Sequence, residues 1–304
     1  MAWPTIRIVH LSDLHLTGSE DAARSEPKLF GKLTGMNAAF RQVLASKEVQ
    51  NADRILITGD ITDTGALAEW RIFWNAVAGL AKERLILVPG NHDVCCLGLR
   101  VVLPGSLAAR RDWAKYVVGV EVGGSVPEKR GYPAVVEVTE AVAVFVLNSN
   151  NLGNISGATN AIGEVAYFDL VRLAELLYQH RHTPVKIVAL HHSPNIPEAA
   201  TARRRGQTPM SDLGRLTHQI PEDQRRALRL LCLSHRVRLM AHGHLHQKED
   251  RDINGIRIIG APATTQPVTV NKKWCYPFWQ YEIAGKAQRI RHQLVTVPVD
   301  RTGR

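Results

Sequence analysis

No apolar run in this sequence approaches the roughly 20 residues needed to cross a bilayer, so no transmembrane helix is expected. Cysteine is scarce as well: Cys95, Cys96, Cys232 and Cys275 are the four among 304 residues, and the first two are adjacent. That pattern offers no disulfide framework for so large a chain and fits a reducing compartment. Cys95 and Cys96 follow a polar motif closely enough to be redox-sensitive, although small packing residues are the plainer reading. A basic segment, apolar stretch and small-residue cleavage site are missing from the N-terminus, so a cytoplasmic location without a secretory leader is expected. Neither a repeat of fixed period nor a low-complexity linker divides the sequence. Acidic residues are in deficit, 28 against 38 Lys and Arg, and the net charge of +10 favours anionic partners. The basic residues cluster at Arg203 to Arg205, at Arg225, Arg226 and Arg229, and at Arg236 with Arg238. Such clusters could guide a nucleic acid, a phospholipid surface or a small phosphate ester, whereas each alone reads as a solvated helix face.

With 45% hydrophobic residues, the chain can bury the core of one large α/β domain, expected to span 1–304. Short apolar runs read as buried strands at Ile6–Leu11, Ile55–Thr58, Leu85–Val88, Val185–Leu190 and Arg238–Ala241. Two more, Ala134–Val138 and Val142–Leu147, flank a turn. Helical spacing marks Asn37–Lys47, Ala66–Ala81, Leu107–Val118, Gly163–Gln179 and Glu222–Ser234. In the second of these Trp70, Phe73, Trp74 and Val77 form a core stripe, with Asp63 or Thr64 as the cap. Residues 18–35 read as a polar loop. The stretch 193–221, rich in Pro, Arg, Gly and Thr with little periodicity, is the candidate for a mobile flap. Ile256–Ile259, Phe278–Ile283 and Gln288–Val297 read as strands of a second sheet. The expected architecture is a four-layer αββα sandwich, two mixed β-sheets flanked by helices.

Directly after five of these strands stand Asp13-Leu14-His15, Gly59-Asp60, Gly90-Asn91-His92-Asp93, His191-His192 and Gly243-His244-Leu245-His246. Each is weak alone, since Gly-Asp is a common turn and a lone His is more often a hydrogen-bonded core or surface residue. All five in series, each at a strand end, would lie together on the rim where open α/β sheets bind ligands. In an extended segment residues i and i+2 point the same way, so Asp13 and His15 can share one ion, as can His244 and His246 through a loop. Asp60 can bridge two ions through its two oxygens, and Asn91 supplies a neutral carbonyl oxygen. Imidazole and oxygen ligands without thiolate suit two divalent ions drawn from manganese, iron and zinc better than calcium or a structural zinc. With Asp13, His15, Asp60, Asn91, His191, His244 and His246 as ligands, two negative charges face four positive ones. The centre stays cationic, attracting phosphate and holding hydroxide at neutral pH.

The ordered set resembles the calcineurin-like metallophosphoesterase family over roughly Ile6 to Ile283. Ser12-Asp13-Leu14-His15-Leu16, Gly59-Asp60-Ile61-Thr62-Asp63, Gly90-Asn91-His92-Asp93 and His191-His192-Ser193-Pro194 are most similar to the branch containing the class III cyclic-nucleotide phosphodiesterases. In that branch proline directly follows the second paired histidine, whereas here Ser193 intervenes. The resemblance implies that Asp13, His15, Asp60 and His246 hold one ion while Asp60, Asn91, His191 and His244 hold the other. It implies that His92 is catalytic, contacting the phosphate or protonating the leaving oxygen, and that Asp93 orients it; a purely structural hydrogen bond is the alternative for His92. His192, His242 and Asp63 would support the ligands from behind. A metal-dependent phosphodiesterase acting on a small phosphodiester, with a metal-bridging hydroxide as nucleophile, is therefore expected. The same site could serve a nuclease, a lipid-headgroup pyrophosphatase or a phosphomonoesterase, and the non-enzymatic rival is a metal-containing anion-binding module with little turnover.

Overall fold

The computed structural model describes residues 5–24, 33–94, 113–123, 131–150, 161–204, 209–284 and 288–300. Cys95, Cys96, Arg205 and the first part of the helix expected at 107–118 lie outside them. β1 (Thr5–Leu11), β2 (Arg54–Thr58) and β3 (Leu85–Val88) run parallel in a first sheet. The second sheet contains β4 (Ala134–Thr139), β5 (Val142–Val146), β6 (Val185–Ala189), β7 (Leu239–His242), β8 (Glu249–Ile253) and β9 (Ile256–Gly260) in the order β4-β5-β6-β7-β9-β8. β5, β6, β7 and β9 are parallel, and β4 and β8 close the edges antiparallel. The chain then returns to the first sheet through β10 (Val268–Val270), β11 (Lys273–Ala284) and β12 (Arg289–Pro298).

That return corrects the sequence reading, which placed Phe278–Ile283 and Gln288–Val297 in the second sheet. β11 pairs antiparallel with β1, Val9 opposite Gln280, and carries apolar side chains on both faces. Tyr276 and Phe278 pack outward while Trp279, Tyr281 and Ile283 point between the sheets. A strand apolar on both sides belongs inside a covered sheet, here between β1 and β12.

The helices are α1 (Met36–Leu44), α2 (Lys47–Gln50), α3 (Leu67–Ala76), α4 (Asn91–Val94), α5 (Trp113–Val122), α6 (Tyr167–Gln179), α7 (Ala199–Arg204), α8 (Asp212–Thr217) and α9 (Glu222–Ser234). Residues 193–221 thus carry two short helices despite their weak periodicity. The helix expected at Asn37–Lys47 is broken, because Ser46 is extended and starts α2. α3 begins after Ala66 rather than at an Asp63 or Thr64 cap. The Glu69 carboxylate reaches back to accept the Thr64 and Ala66 N–H groups at 2.8 and 3.2 Å, and Thr64 Oγ1 donates to it at 2.9 Å. No helix among the described residues is long and apolar enough to cross a membrane.

Alternation along the buried strands builds four layers. Ile6 and Ile8 of β1 face the second sheet, meeting Val144, Ile187 and Leu239, while Val9 and Leu11 face α1, α3 and α5. On the far side α6 and α9 cover Phe145, Val188, Met240 and Ile258. Parallel strands feeding helices on the outer faces put the carboxyl ends of β1, β2, β3, β6 and β7 on one rim.

Trp70 anchors the α3 layer, fully buried with Tyr116 and Phe73 rings at 5.6 and 6.0 Å. Trp70→Ala is expected to cost about 3–5 kcal/mol in urea unfolding with an unchanged slope. A loss well under 1 kcal/mol would mean that the outer helix layer contributes little to stability.

Candidate metal centre

The rim loops are bent, not extended. Asp13, His15, Asp60, His244 and His246 all have positive φ, between 45° and 73°, a region that costs non-glycine residues of order 1–3 kcal/mol each. The i, i+2 reasoning for Asp13 and His15 is therefore replaced by a left-handed turn that bends both side chains over the strand end. Backbone bonds hold the turn: Asp13 N donates to Gly59 O at 3.1 Å and His15 N to Asp60 O at 2.9 Å. From the second sheet, His244 N donates to both oxygens of Asp13, at 3.1 and 3.2 Å. Two glycines permit the approach. A Cβ at Gly59, itself at φ +89°, would stand 2.4 Å from His191 Nδ1, and one at Gly90 would stand 2.0 Å from Asp60 N.

These turns gather the candidate ligands into adjoining groups. The donor atoms of Asp13, His15 and His246 lie within 4.8 Å of one another, as do those of Asp13, Asp60 and His191, those of His15, Asp60 and His92, and those of His191, His192 and His244. His15 Nε2 and His246 Nε2 are 3.3 Å apart. Two metal–nitrogen bonds of about 2.0–2.1 Å meeting near the tetrahedral angle hold their nitrogens about 3.3–3.4 Å apart, so the pair fits a shared cation. His191 Nε2 is 3.3 Å from Asp60 Oδ2 and 3.0 Å from Asn91 Oδ1. Its Nδ1 faces the Thr58 carbonyl at 2.7 Å, and since a carbonyl only accepts, Nδ1 carries a proton and Nε2 is the ring atom turned to Asp60 and Asn91. His192 Nδ1 meets Ser149 Oγ at 3.0 Å instead. His244 Nε2 is buried without a hydrogen-bond partner. The donor set of imidazole, carboxylate and carboxamide, without thiolate, is suited to divalent transition ions.

The electrostatics agree with a cation-binding site. Burial, followed by the charges of Arg24 and His92, holds His15 well below the ordinary imidazole range, and burial followed by His191 and His218 does the same for His244. Neutral imidazoles are the form that ligates. Burial would raise Asp60, but His191 and His92 hold its carboxyl well below the usual range. Burial likewise opposes charge on His191, yet Asp60 raises it to about 9. A buried carboxylate that recruits positive charge so strongly is a natural cation bridge.

His92 opens α4 over Asp60, its backbone N–H donating to Asp60 Oδ1 at 2.9 Å. Its Nδ1 donates to the Asp63 carbonyl at 2.7 Å. Asp93, expected to orient that ring, braces the loops: Oδ1 accepts Thr62 N and Oγ1 at 2.9 and 2.8 Å, and Oδ2 accepts Gly90 N at 2.9 Å. Burial, then Asp60, pushes Asp93 up to about 6.

Supporting groups include several without a sequence signal. Ser149 Oγ accepts the His191 and His192 N–H groups at 3.2 and 3.0 Å, and the polar run Asn148-Ser149-Asn150 past β5 could have drawn attention to it. His10 links Tyr281 Oη at 2.6 Å to Thr58 Oγ1 at 2.8 Å beneath the site. His218 places its ring 5.7 Å from that of His244. His242, flagged from sequence, bonds Glu249 at 2.9 Å, and Asp63 Oδ1 lies 3.5 Å from His15 Nδ1.

The model of calcineurin-like phosphoesterases matches residues 6–248. The 3′,5′-cyclic adenosine monophosphate phosphodiesterase of Escherichia coli (strain K12) is 24% identical over 265 residues, 85% of this chain and 76% of that protein. A probable cyclic nucleotide phosphodiesterase of Pseudoalteromonas sp. (strain SM9913) is 24% identical over 292 residues, 94% and 87% of the two chains. Among solved structures, a dimetal phosphatase from Danio rerio superposes with a TM-score of 0.58 at 12% identity, covering 97% of this chain and 99% of that one. That last likeness is one of fold.

Chelator-treated protein is expected to take up close to two manganese or zinc ions per chain and to be stabilised by about 2.7 kcal/mol for each ion at a hundredfold excess over Kd, read as a higher melting temperature. Asp60→Ala should abolish both changes. An unshifted melting curve with no bound metal would exclude the centre. Beneath it, burial and then His242 lower His10 to about 3. The unfolded chain protonates this residue near 6.5 while the folded one does not. Its contribution is complete above 6.5 and falls toward pH 3, at about 1.4 kcal/mol per unit. His10→Gln should flatten the acid limb of stability against pH by one proton, and an unaltered slope would show that His10 charges in the folded state.

Proposed function

Because this chain belongs to the calcineurin-like phosphoesterase family and is a metal-dependent phosphoesterase, we propose that its reaction is hydrolysis of a small phosphodiester, with 3′,5′-cyclic nucleotides as first candidates. In this reading Asp13, His15, Asp60 and His246 hold one divalent ion, and Asp60, Asn91, His191 and His244 hold the other. Bound there, the ions would make water a competent nucleophile at neutral pH and neutralise the phosphoryl oxygens.

The observation that carries the proposal is the setting of His92. Held at Nδ1 by the Asp63 carbonyl and at its backbone by Asp60, it offers Nε2 as the atom that carries a proton to the departing oxygen. A diester releases an alkoxide, which leaves poorly without that proton. A monoester would bring an extra negative charge best met by additional cations, and the five motifs supply none. The nearby Arg24 lies 3.7 Å from the Asp63 carboxylate, which balances its charge. Asp93 acts as a brace for the Gly90 and Thr62 loops. The names of the cyclic-nucleotide phosphodiesterase relatives support the same substrate class.

The reading also makes the chain one catalytic domain, because β11 and β12 complete the sheet that β1 begins. It takes 193–221, with His218 beside His244, as a flap over the site. A reducing cytoplasm suits Cys232, whose burial pushes the thiol up to about 12 and keeps it inert.

With manganese at neutral pH, kcat/KM for an aryl phosphodiester should exceed that for the matching monoester, and 3′,5′-cyclic nucleotides should be hydrolysed. His92→Ala should keep both metals and lose turnover by roughly 10²- to 10⁴-fold. Preference for the monoester, or full activity in His92→Ala, would defeat the reading. Cleavage of DNA or RNA without action on cyclic nucleotides would move it to a nuclease.

A further inference from the structure

α9 buries Arg225, Leu228 and Cys232 along one face. Leu228 and Cys232 fill the core against the second sheet, but the next position of that stripe toward the helix start is an arginine, only 7% exposed. Among the described residues the guanidinium forms no ion pair, and its Nε is buried without a hydrogen-bond partner. The charged groups around it are Arg229, Glu222 and Arg215, two cations against one exposed carboxylate, and burial with the two arginines holds it below its ordinary pKa. A buried, unpaired guanidinium is costly unless an anion completes it.

The location is the reaction rim. α9 leads into β7, so its start lies at the end of the sheet where β7 presents His244. Ile220, just before the helix, meets His192 across Gly163, where an added Cβ would stand 2.8 Å from Ile220 Cγ1 and 2.6 Å from His192 Cγ. Gln224 accepts the Val165 N–H at 2.9 Å. Arg215 belongs to α8, one turn before His218, and its own pairing is a 3.3 Å contact with Asp212, whose side chain is 90% exposed. His218 donates from Nδ1 to the Gly214 carbonyl at 2.9 Å and stands beside His244. His218 beside His244, and Arg215 one turn before it among the charged groups around Arg225, thus connect the candidate metal ligand to the two arginines.

We propose that Arg225 and Arg215 form a subsite for a second phosphate of the substrate, so that the preferred substrate is a small nucleotide phosphodiester carrying one phosphate beyond the scissile one. Two planar forks on different helices suit a tetrahedral anion, which each can grip through paired N–H donors. The inference rests on the phosphodiester reading above and departs from its first candidates, because a 3′,5′-cyclic nucleotide has no phosphate beyond the scissile one.

The test compares the 5′-phosphorylated dinucleotide pApA with ApA on the manganese-loaded enzyme, an aryl diester being assayed alongside. The extra phosphate should raise kcat/KM about tenfold, mainly through KM, the size of one charge-assisted contact. In Arg215→Gln and in Arg225→Met the ratio of pApA to ApA should fall toward one. Arg215 is half-buried on a short outer helix, so its variant keeps the experiment decisive if Arg225→Met unfolds. Equal kcat/KM for the two dinucleotides, cleavage of neither while the aryl diester is turned over, or a tenfold ratio that survives Arg215→Gln would each overturn the subsite. No turnover of the aryl diester would instead bring down the phosphodiesterase reading on which it stands.

Discussion

The buried carboxylate of Asp60 governs the rim. An isolated charge taken this far from water costs many kcal/mol, so its surroundings must supply positive charge and hydrogen bonds. The His92 N–H and the His191 ring provide them from two separate loops. Each loop can approach only because its neighbours yield space: Gly59 leaves room for His191, and Gly90 for Asp60 itself. Left-handed backbone at Asp13, His15, Asp60, His244 and His246 is the accompanying strain. Residues that would be uncomfortable elsewhere are tolerated here because the gathered charges over-determine their positions.

Beneath that layer stands a second one of neutral groups. Thr58 takes the His191 proton on its carbonyl and His10 on its hydroxyl, and Ser12 adds a contact to the same carbonyl at 3.1 Å. Ser149 holds the His191–His192 backbone from the second sheet. The two sheets are therefore joined at the rim by polar contacts as well as by the apolar interlayer below. A substitution at Thr58 or Ser149 acts on imidazole orientation, not on the donor set.

Sequence reading succeeded where a residue's role depends on its immediate neighbours. Short, mostly apolar runs at Ile55–Thr58 and Val185–Leu190 read as strands covered on both faces, and a polar motif directly after each falls at a sheet rim. It failed where the role depends on distant partners. Phe278–Ile283 looks the same whether it extends either sheet, and only the pairing of Val9 with Gln280 decides. Asp93 sits beside His92 in sequence yet spends its carboxylate on Thr62 and Gly90. The helix-start rule proposed Asp63 or Thr64, whereas Glu69 satisfies that turn from inside the helix. Arg225 reads as one of several surface arginines until the buried stripe of α9 singles it out.

The pairing of β11 with β1 also sets an order of events during synthesis. β1, ending at Leu11, leaves the ribosome long before its antiparallel neighbour, which begins at Lys273, with synthesis at about 5–20 residues per second. Until then the first sheet has an open edge, and Asp13 at the end of β1 lacks the framework that holds it against His244. Closing this gap is a long-range contact, Thr5 opposite Ala284, of the kind that makes folding slow. The nascent protein thus cannot assemble its reactive rim piecemeal: the sheet beneath the rim is closed only once β11 has paired with β1.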